Sequence, residues 1–268
     1  MGKTKIGWTD ITWNPSTGCD KVSQGCKNCY ANTIAKNLKA WGKVKYSNGF
    51  EFTMHGDKVM EEPLRMGKKP QRIFVNSMSD TFHEKVTESH IIKMFDVMNR
   101  TPHFQYQVLT KRPHLINGLT GSVNWSENIY MGTTVEDGSV VHRIDELRNT
   151  SAKMKFLSVE PLIGPLPKLN LEGIDWVIVG GESGGIKKIR PIQKEWVEDI
   201  RLQCAVSGTA FFFKQWGHKK FNPNQDDPTM KKEHTHYAKG GCQLNGKIYQ
   251  EWPECPHRYV SESRNYTP

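Results

Sequence analysis

The chain has 268 residues, a formal net charge of +9 and only 36% apolar residues, with no apolar run long enough to cross a membrane. This composition excludes an integral membrane helix bundle and a low-complexity chain, and it leaves a polar, basic globular protein of one large or two small domains. Basic residues near the N-terminus are followed by no apolar stretch, and Ile6 stands where a myristoylation signal wants Ser or Thr. The expected compartment is the cytoplasm, where clustered cysteines point to metal or redox chemistry rather than to disulfides.

Taken in chain order, the first expected strand is Ile11-Thr12-Trp13. Six further apolar or β-branched runs follow: Ile73–Val75, Tyr106–Leu109, Ile129–Met131, Phe156–Val159, Trp176–Val179 and Ala210–Phe213. They begin 20 to 34 residues apart, a spacing that suits βα units with a helix returning each time. Helical stripes fill several gaps: Ala31, Ile34, Ala35 and Leu38; Ile91, Ile92, Phe95 and Met98; Val141, Ile144 and Leu147; Trp196, Val197, Ile200 and Cys204. The predicted fold is α/β, a full or partial (β/α) barrel of six to seven parallel strands, with a doubly wound open sheet as the alternative. Residues 1–216 would form the barrel. A polar insert at about 42–70 reads as a hairpin after Asn48-Gly49. Residues 217–268 would form an extension packed on the barrel, with a second hairpin at Asn245-Gly246.

Ligands of parallel α/β folds bind at the carboxyl ends of the strands. Those positions hold Ser77 and Asp80, Lys111, Thr133 and Glu136, Glu160, Gly181 and Glu182, and Lys214. Each alone has a plain structural reading as a turn, a cap or a solvated charge; their recurrence after every strand is what points to one pocket. Cys204 lies on an apolar stripe and reads first as a core thiol, second as a hydrogen donor. Cys242 and Cys255 stand near His234, His236 and His257, in a spacing that matches no common zinc finger.

After the first strand come Cys19, Cys26 and Cys29, half of the chain's six cysteines, spaced C-x6-C-x2-C. Gly18 and Gly25 immediately precede two of them, and Lys21 and Lys27 favour thiolates. Three soft ligands leave one coordination position open on a metal or a cluster. A structural zinc with a distant fourth ligand and a 4Fe–4S cluster with one open iron both fit this pattern.

A cysteine loop after the first strand of a β/α barrel resembles a variant of the radical S-adenosylmethionine (SAM) enzymes, whose usual spacing is C-x3-C-x2-C. More closely, the chain resembles a phage-associated radical-SAM-like family of unassigned function. The resemblance is carried by Thr12-Trp13-Asn14-Pro15-Ser16-Thr17-Gly18-Cys19, Gly25-Cys26-Lys27-Asn28-Cys29-Tyr30, Phe74-Val75-Asn76-Ser77-Met78-Ser79-Asp80, Leu109-Thr110-Lys111-Arg112-Pro113, Ser158-Val159-Glu160-Pro161, Gly180-Gly181-Glu182-Ser183-Gly184 and Phe212-Phe213-Lys214-Gln215-Trp216-Gly217. It implies that Cys19, Cys26 and Cys29 ligate three irons of a 4Fe–4S cluster, that SAM chelates the fourth, and that reductive cleavage gives a 5′-deoxyadenosyl radical. It also implies an electron donor such as a flavodoxin or ferredoxin. From residue type, Ser77, Asp80 and Glu182 are candidates for the SAM amine, Lys111 for its carboxylate, and Thr133 and Glu136 for the ribose. Gly181, Glu160 and Lys214 would face SAM or substrate, and Lys214 and Cys204 are the candidates for catalysis. The positive charge favours DNA, RNA or a nucleotide as substrate. The alternatives are a nucleic-acid-binding protein with a structural metal, or a radical-SAM enzyme on a peptide or small metabolite.

Overall fold

The structure, a computed structural model, describes residues 1–254 except 120, 235, 237 and 238; Cys255 and His257 lie outside the described residues. In chain order the elements are β1 (Gly2–Lys3), β2 (Ile11–Trp13), β3 (Ser16–Thr17), α1 (Tyr30–Ala40), β4 (Thr53–Met54), α2 (Asp57–Met60), β5 (Gln71–Val75), α3 (Glu88–Asn99), β6 (Phe104–Thr110), β7 (Ile129–Thr134), α4 (Arg143–Arg148), β8 (Met154–Val159), β9 (Trp176–Gly180), α5 (Lys194–Ser207), β10 (Ala210–Gln215), β11 (Gln243–Leu244) and β12 (Lys247–Ile248). One eight-stranded sheet runs β1-β2-β5-β6-β7-β8-β9-β10. β2 and β5 through β10 are mutually parallel, and β1 is an antiparallel edge. All seven expected strands form, because runs apolar on both faces can settle only in a sheet covered on both sides.

The outer face is covered by helices. Ile91, Met94, Phe95 and Met98 of α3 and Val197, Ile200 and Cys204 of α5 are buried in the main core with Val75, Val108, Met131, Val159, Val179 and Phe213. Thr87 caps α3 by accepting from the His90 N–H, and Gly208 ends α5 in the left-handed region at φ 72°. Two expected stripe residues leave the core, each 41% exposed: Ile92 on the surface and Ile34 at the carboxyl-end cavity.

The inner face carries a second core of Trp8, Phe74, Tyr130, Met154, Phe156, Trp176, Ile178 and Phe212. Trp8 fixes the curvature. Its ring lies 4.7 Å from Phe74 on β5 and 6.5 Å from Trp176 on β9. Those strands are four steps apart, about 19 Å in a flat sheet, so the sheet must wrap around Trp8. The wrap is a partial barrel, since β10 pairs with β9 and with no other parallel strand. Residues 249–251 run antiparallel along the free edge of β10, through Phe213 N–H to Tyr249 O at 2.7 Å and Glu251 N–H to Phe211 O at 3.0 Å. Trp252 then packs 4.8 Å from Trp176 and under the Arg72 guanidinium, closing the amino-terminal end.

Three local expectations are corrected. The insert does not fold back on itself: Thr53–Met54 pairs antiparallel with Ser16–Thr17, clasping the cysteine loop rather than forming a hairpin after Gly49. No helix joins β8 to β9, because Pro161, Pro165 and Pro167 deny a helix its N–H donors, and Leu162, Leu166 and Leu171 cover the sheet from an irregular segment. Between β6 and β7 the described residues form only two single turns, Pro113–Leu115 and Asn117–Leu119. The hairpin at Asn245-Gly246 forms as expected, with φ of 52° and 74°. Among the described residues no helix is long and apolar enough to cross a membrane.

Truncating the inner plug should be costly. Trp8→Ala is expected to lose about 3–5 kcal/mol of stability, read by urea unfolding. A loss under about 1 kcal/mol would show that the barrel does not depend on Trp8.

Candidate functional site

The cysteine loop leaves β3 at the carboxyl ends of the strands and is tied down along its length. At its start, Gly18 N–H donates to Met78 O at 2.9 Å, Ser79 Oγ donates to Gly18 O at 2.7 Å, and Cys19 N–H donates to Phe50 O. Gly18 sits at φ 81°, and a Cβ there would lie 2.1 Å from the Glu51 carbonyl oxygen, so no other residue fits without moving the insert. Further along, Ser23 Oγ donates to Glu136 Oε1 at 2.6 Å, and a Cβ on Gly25 would fall 2.3 Å from the same oxygen. Asn28 Nδ2 donates to Glu182 Oε2 at 3.0 Å and to Lys188 O at 2.7 Å. Arg190 donates to Gln24 O, and the Tyr30 hydroxyl to Ser77 O. The loop is thus fastened to segments following β5, β7 and β9.

Cys26 is buried, and Cys19 and Cys29 are half-buried, Cys29 immediately preceding α1. Arg112 Nη1 lies 3.7 Å from Cys19 Sγ. The same guanidinium pairs with Asp80 at 3.1 Å and Glu84 at 2.7 Å. Burial, reinforced by the Asp80 charge, pushes the Cys19 thiol up to about 12 against the pull of Arg112. The thiols share the loop without converging: among the described residues no three Cys, His, Asp or Glu side chains are placed to hold a metal ion.

Beside the loop lies a cavity of about 420 Å³, within the range of small-molecule and cofactor sites. Its apolar side is Ile6, Trp8, Phe74 and Leu109, and Gly25, Cys29, Lys111, Glu160, Glu182 and Lys214 also line it. Three ion pairs ring it. Lys111 Nζ is 2.6 Å from Glu136 Oε1, Lys214 Nζ is 2.8 Å from Glu160 Oε1, and Glu182 pairs with Arg190. Glu136, fully buried, also takes Arg143 Nη1 at 2.9 Å. Burial would raise the Glu136 carboxyl, but Lys111, Ser23 and Arg143 outweigh it and hold the group below the usual carboxylate range. Glu182 is likewise held low, with burial overcome by Arg190 and Asn28.

Of the candidate site residues, Lys111, Glu160, Gly181, Glu182 and Lys214 share the cavity wall. Glu136 reaches it through Lys111. Asp80 does not line it: its carboxylate is filled by Arg112, Thr110 Oγ1 at 2.6 Å, and the Lys111 and Phe82 N–H groups. Thr133 is buried with its hydroxyl on Thr110 O, and Ser77 Oγ bonds Asn14 behind the loop. Cys204 is fully buried on the outer side of the sheet, its thiol pushed up to about 12 by burial. Cys242 is buried with its N–H on Thr229. Strand-end reasoning missed Ser23, Asn28, Arg143, Arg190 and Lys239, which come from loops and a helix.

A family model described as "Protein of unknown function (DUF5131)" matches residues 3–253. The chain belongs to this family. No curated protein matches. Among solved structures, spore photoproduct lyase complexed with dinucleoside spore photoproduct is similar with a TM-score of 0.42 and 13% identity, over 70% of this chain and 58% of that one. A doubly substituted variant of the lyase, with bound AdoMet and the dinucleoside, gives a TM-score of 0.44 and 11% identity, over 74% and 61%. The chain therefore spans about three-fifths of the lyase chains it matches.

The carboxylates make an acid-stability prediction. Glu136 and Glu182 are lowered on folding, so their contribution is present in full above the ordinary carboxylate pKa of about 4.3 and is lost as pH falls through their lower folded values. Glu136→Gln should cost about 3–5 kcal/mol near neutrality, by leaving Lys111 and Arg143 uncompensated, and should flatten the acid limb of stability against pH. An unchanged acid limb would contradict the assignment.

Proposed function

We propose that this protein is a radical-SAM enzyme in which Cys19, Cys26 and Cys29 hold a 4Fe–4S cluster beside the strand-end cavity. The observation that carries this reading is positional. A three-cysteine loop is pinned across the carboxyl ends of a parallel partial barrel, and Cys29 belongs to the wall that also contains Lys111, Glu160, Glu182 and Lys214. The residue types fit such a group. Three thiols sit on one short loop, Cys29 is the one described cysteine that lines the wall, and Arg112 offers an N–H to Cys19 sulfur. The phage-associated radical-SAM-like character belongs to this reading and rests on the motifs.

When bound, the cluster and SAM supply one-electron cleavage of a sulfonium and a primary carbon radical. The chain's own part is binding, orientation and exclusion of water. Glu160 and Glu182 are the carboxylates available in the wall to accept from an amine. Lys111 and Lys214 are the paired cations available to a carboxylate, and each would exchange part of its present ion pair for the ligand. Trp8, Phe74 and Leu109 present an apolar surface to a flat ring and keep that side dry. Cys204 has no place in this wall and is not assigned a hydrogen-donor role.

The proposed substrate is nucleic acid or a nucleotide. The support is the +9 net charge together with exposed Lys27, Lys187 and Lys188 flanking the loop and its Asn28 contact.

Anaerobic reconstitution tests the enzyme reading. The wild-type chain should bind about four irons with sulfide and release 5′-deoxyadenosine from SAM under dithionite, whereas Cys26→Ala should lose both. Bound zinc without iron, or product formation by the Cys26→Ala protein, would overturn it. Affinity for a short single-stranded oligonucleotide should fall by at least about tenfold between 50 and 200 mM salt. No binding at low salt would remove nucleic acid as the substrate.

A further inference from the structure

The cavity wall contains three lysines, and only two are matched by their own carboxylates. Lys111 is held by Glu136 and Lys214 by Glu160. Lys239, which arrives from the C-terminal extension, lines the same wall, and no described carboxylate lies within ion-pair distance of its ammonium. The charges that act on it are Lys214, which repels it, and Glu160, which is already engaged by Lys214. His236 on the same loop adds no further cation near pH 7, since burial, then His234, Lys214 and Lys239, push it down to about 4. Across the cavity, Glu182 is occupied by Arg190, and Lys111 is a further cation. Burial and Lys214 lower Lys239 itself to about 8.

Lys239 is also placed by its backbone. Its N–H donates to His236 O at 2.9 Å. Gly240, at φ 85°, packs so closely that a Cβ would lie 2.5 Å from the His218 carbonyl, fixing the turn that carries the lysine. A half-buried cation set beside another cation is held against its own solvation, and an entering oxyanion would relieve both. Ser158 and Ser183 line the same wall, and Ser183 Oγ accepts from Gln215 Nε2 at 3.4 Å, which leaves its proton to donate.

We propose that Lys239 and Lys214, with Ser158 and Ser183, form an oxyanion subsite of this cavity, taking the phosphate or carboxylate of a small ligand whose apolar part rests on Trp8 and Phe74. The inference shares with the proposed function the view that this cavity is the ligand site. It does not depend on a cluster at the cysteines.

Calorimetric titration of the full chain with adenosine 5′-monophosphate, S-adenosylhomocysteine and adenosine tests it. At least one anionic ligand should bind tenfold or more tightly than adenosine. Lys239→Met should remove that advantage and leave adenosine unaffected, while Lys239→Arg keeps most of it. Loss confined to the monophosphate identifies a substrate phosphate; loss confined to S-adenosylhomocysteine identifies an amino-acid carboxylate. In the wild type, which needs no variant to fold, the same affinity should drop at least threefold between pH 7.5 and 9.5 as Lys239 loses its proton. Equal binding of all three ligands, absence of anion binding, unchanged anion affinity in Lys239→Met, or a pH-independent affinity would each overturn the subsite. An intact subsite in a chain that does not cleave SAM would refute the enzyme reading alone, and SAM cleavage without the subsite would refute this inference alone.

Discussion

The Glu136 carboxylate is the point on which the site depends. It is fully buried, and it joins four parts of the molecule at once: its own position after β7, Arg143 at the start of α4, Ser23 on the cysteine loop, and Lys111 in the cavity wall. A carboxylate removed from water needs its partners, and here the partners are the cysteine loop and the cavity wall. Gly25 belongs to the same arrangement, because any side chain there would occupy the space of the Glu136 oxygen. The placing of Cys26 and Cys29 at the strand ends therefore rests on the Ser23 hydrogen bond to an ion-paired carboxylate and on a missing methyl group. Glu182 repeats the device on the far side, with Arg190 and Asn28 in the equivalent roles.

The barrel supplies the rigid frame for these clamps. Its outer face is an ordinary helix-on-sheet core. Its inner face is filled at one end by Trp8, Phe156, Trp176 and Phe212 and left hollow at the other, above Trp8 and Phe74. Closing the amino-terminal end with aromatic side chains and Trp252 leaves the carboxyl end as the natural place for a ligand. Lys214 links the two halves, since its ammonium stands 6.0 Å from the Trp8 ring while reaching Glu160.

Much of this was legible in the sequence, for a physical reason. Strands buried on both faces leave continuous apolar runs, and Ile73–Val75 or Trp176–Val179 have no competing reading between turn residues. Of the residues that the strand-end rule singles out, Lys111, Glu160, Gly181, Glu182 and Lys214 line the cavity. Asp80 and Thr133, singled out by the same rule, do not line the cavity, because position after a strand does not say to which side a side chain turns. Asp80 turns toward Arg112 and becomes a structural anion. Arg190, Arg143 and Lys239 were invisible for the complementary reason: they reach the site from a loop, a helix and the C-terminal extension, where no periodicity marks them. The pairing of Thr53–Met54 with Ser16–Thr17 is a long-range contact that local turn chemistry at Gly49 could not reveal.

The central claim is the proposal that Cys19, Cys26 and Cys29 would hold a 4Fe–4S cluster beside the cavity. Electron paramagnetic resonance of the reconstituted, dithionite-reduced chain, with and without SAM, tests it most directly. The account predicts a signal from a reduced 4Fe–4S cluster whose g-values shift when SAM is added. A cluster signal indifferent to SAM, or a chain that takes up zinc and gives no signal, would contradict it.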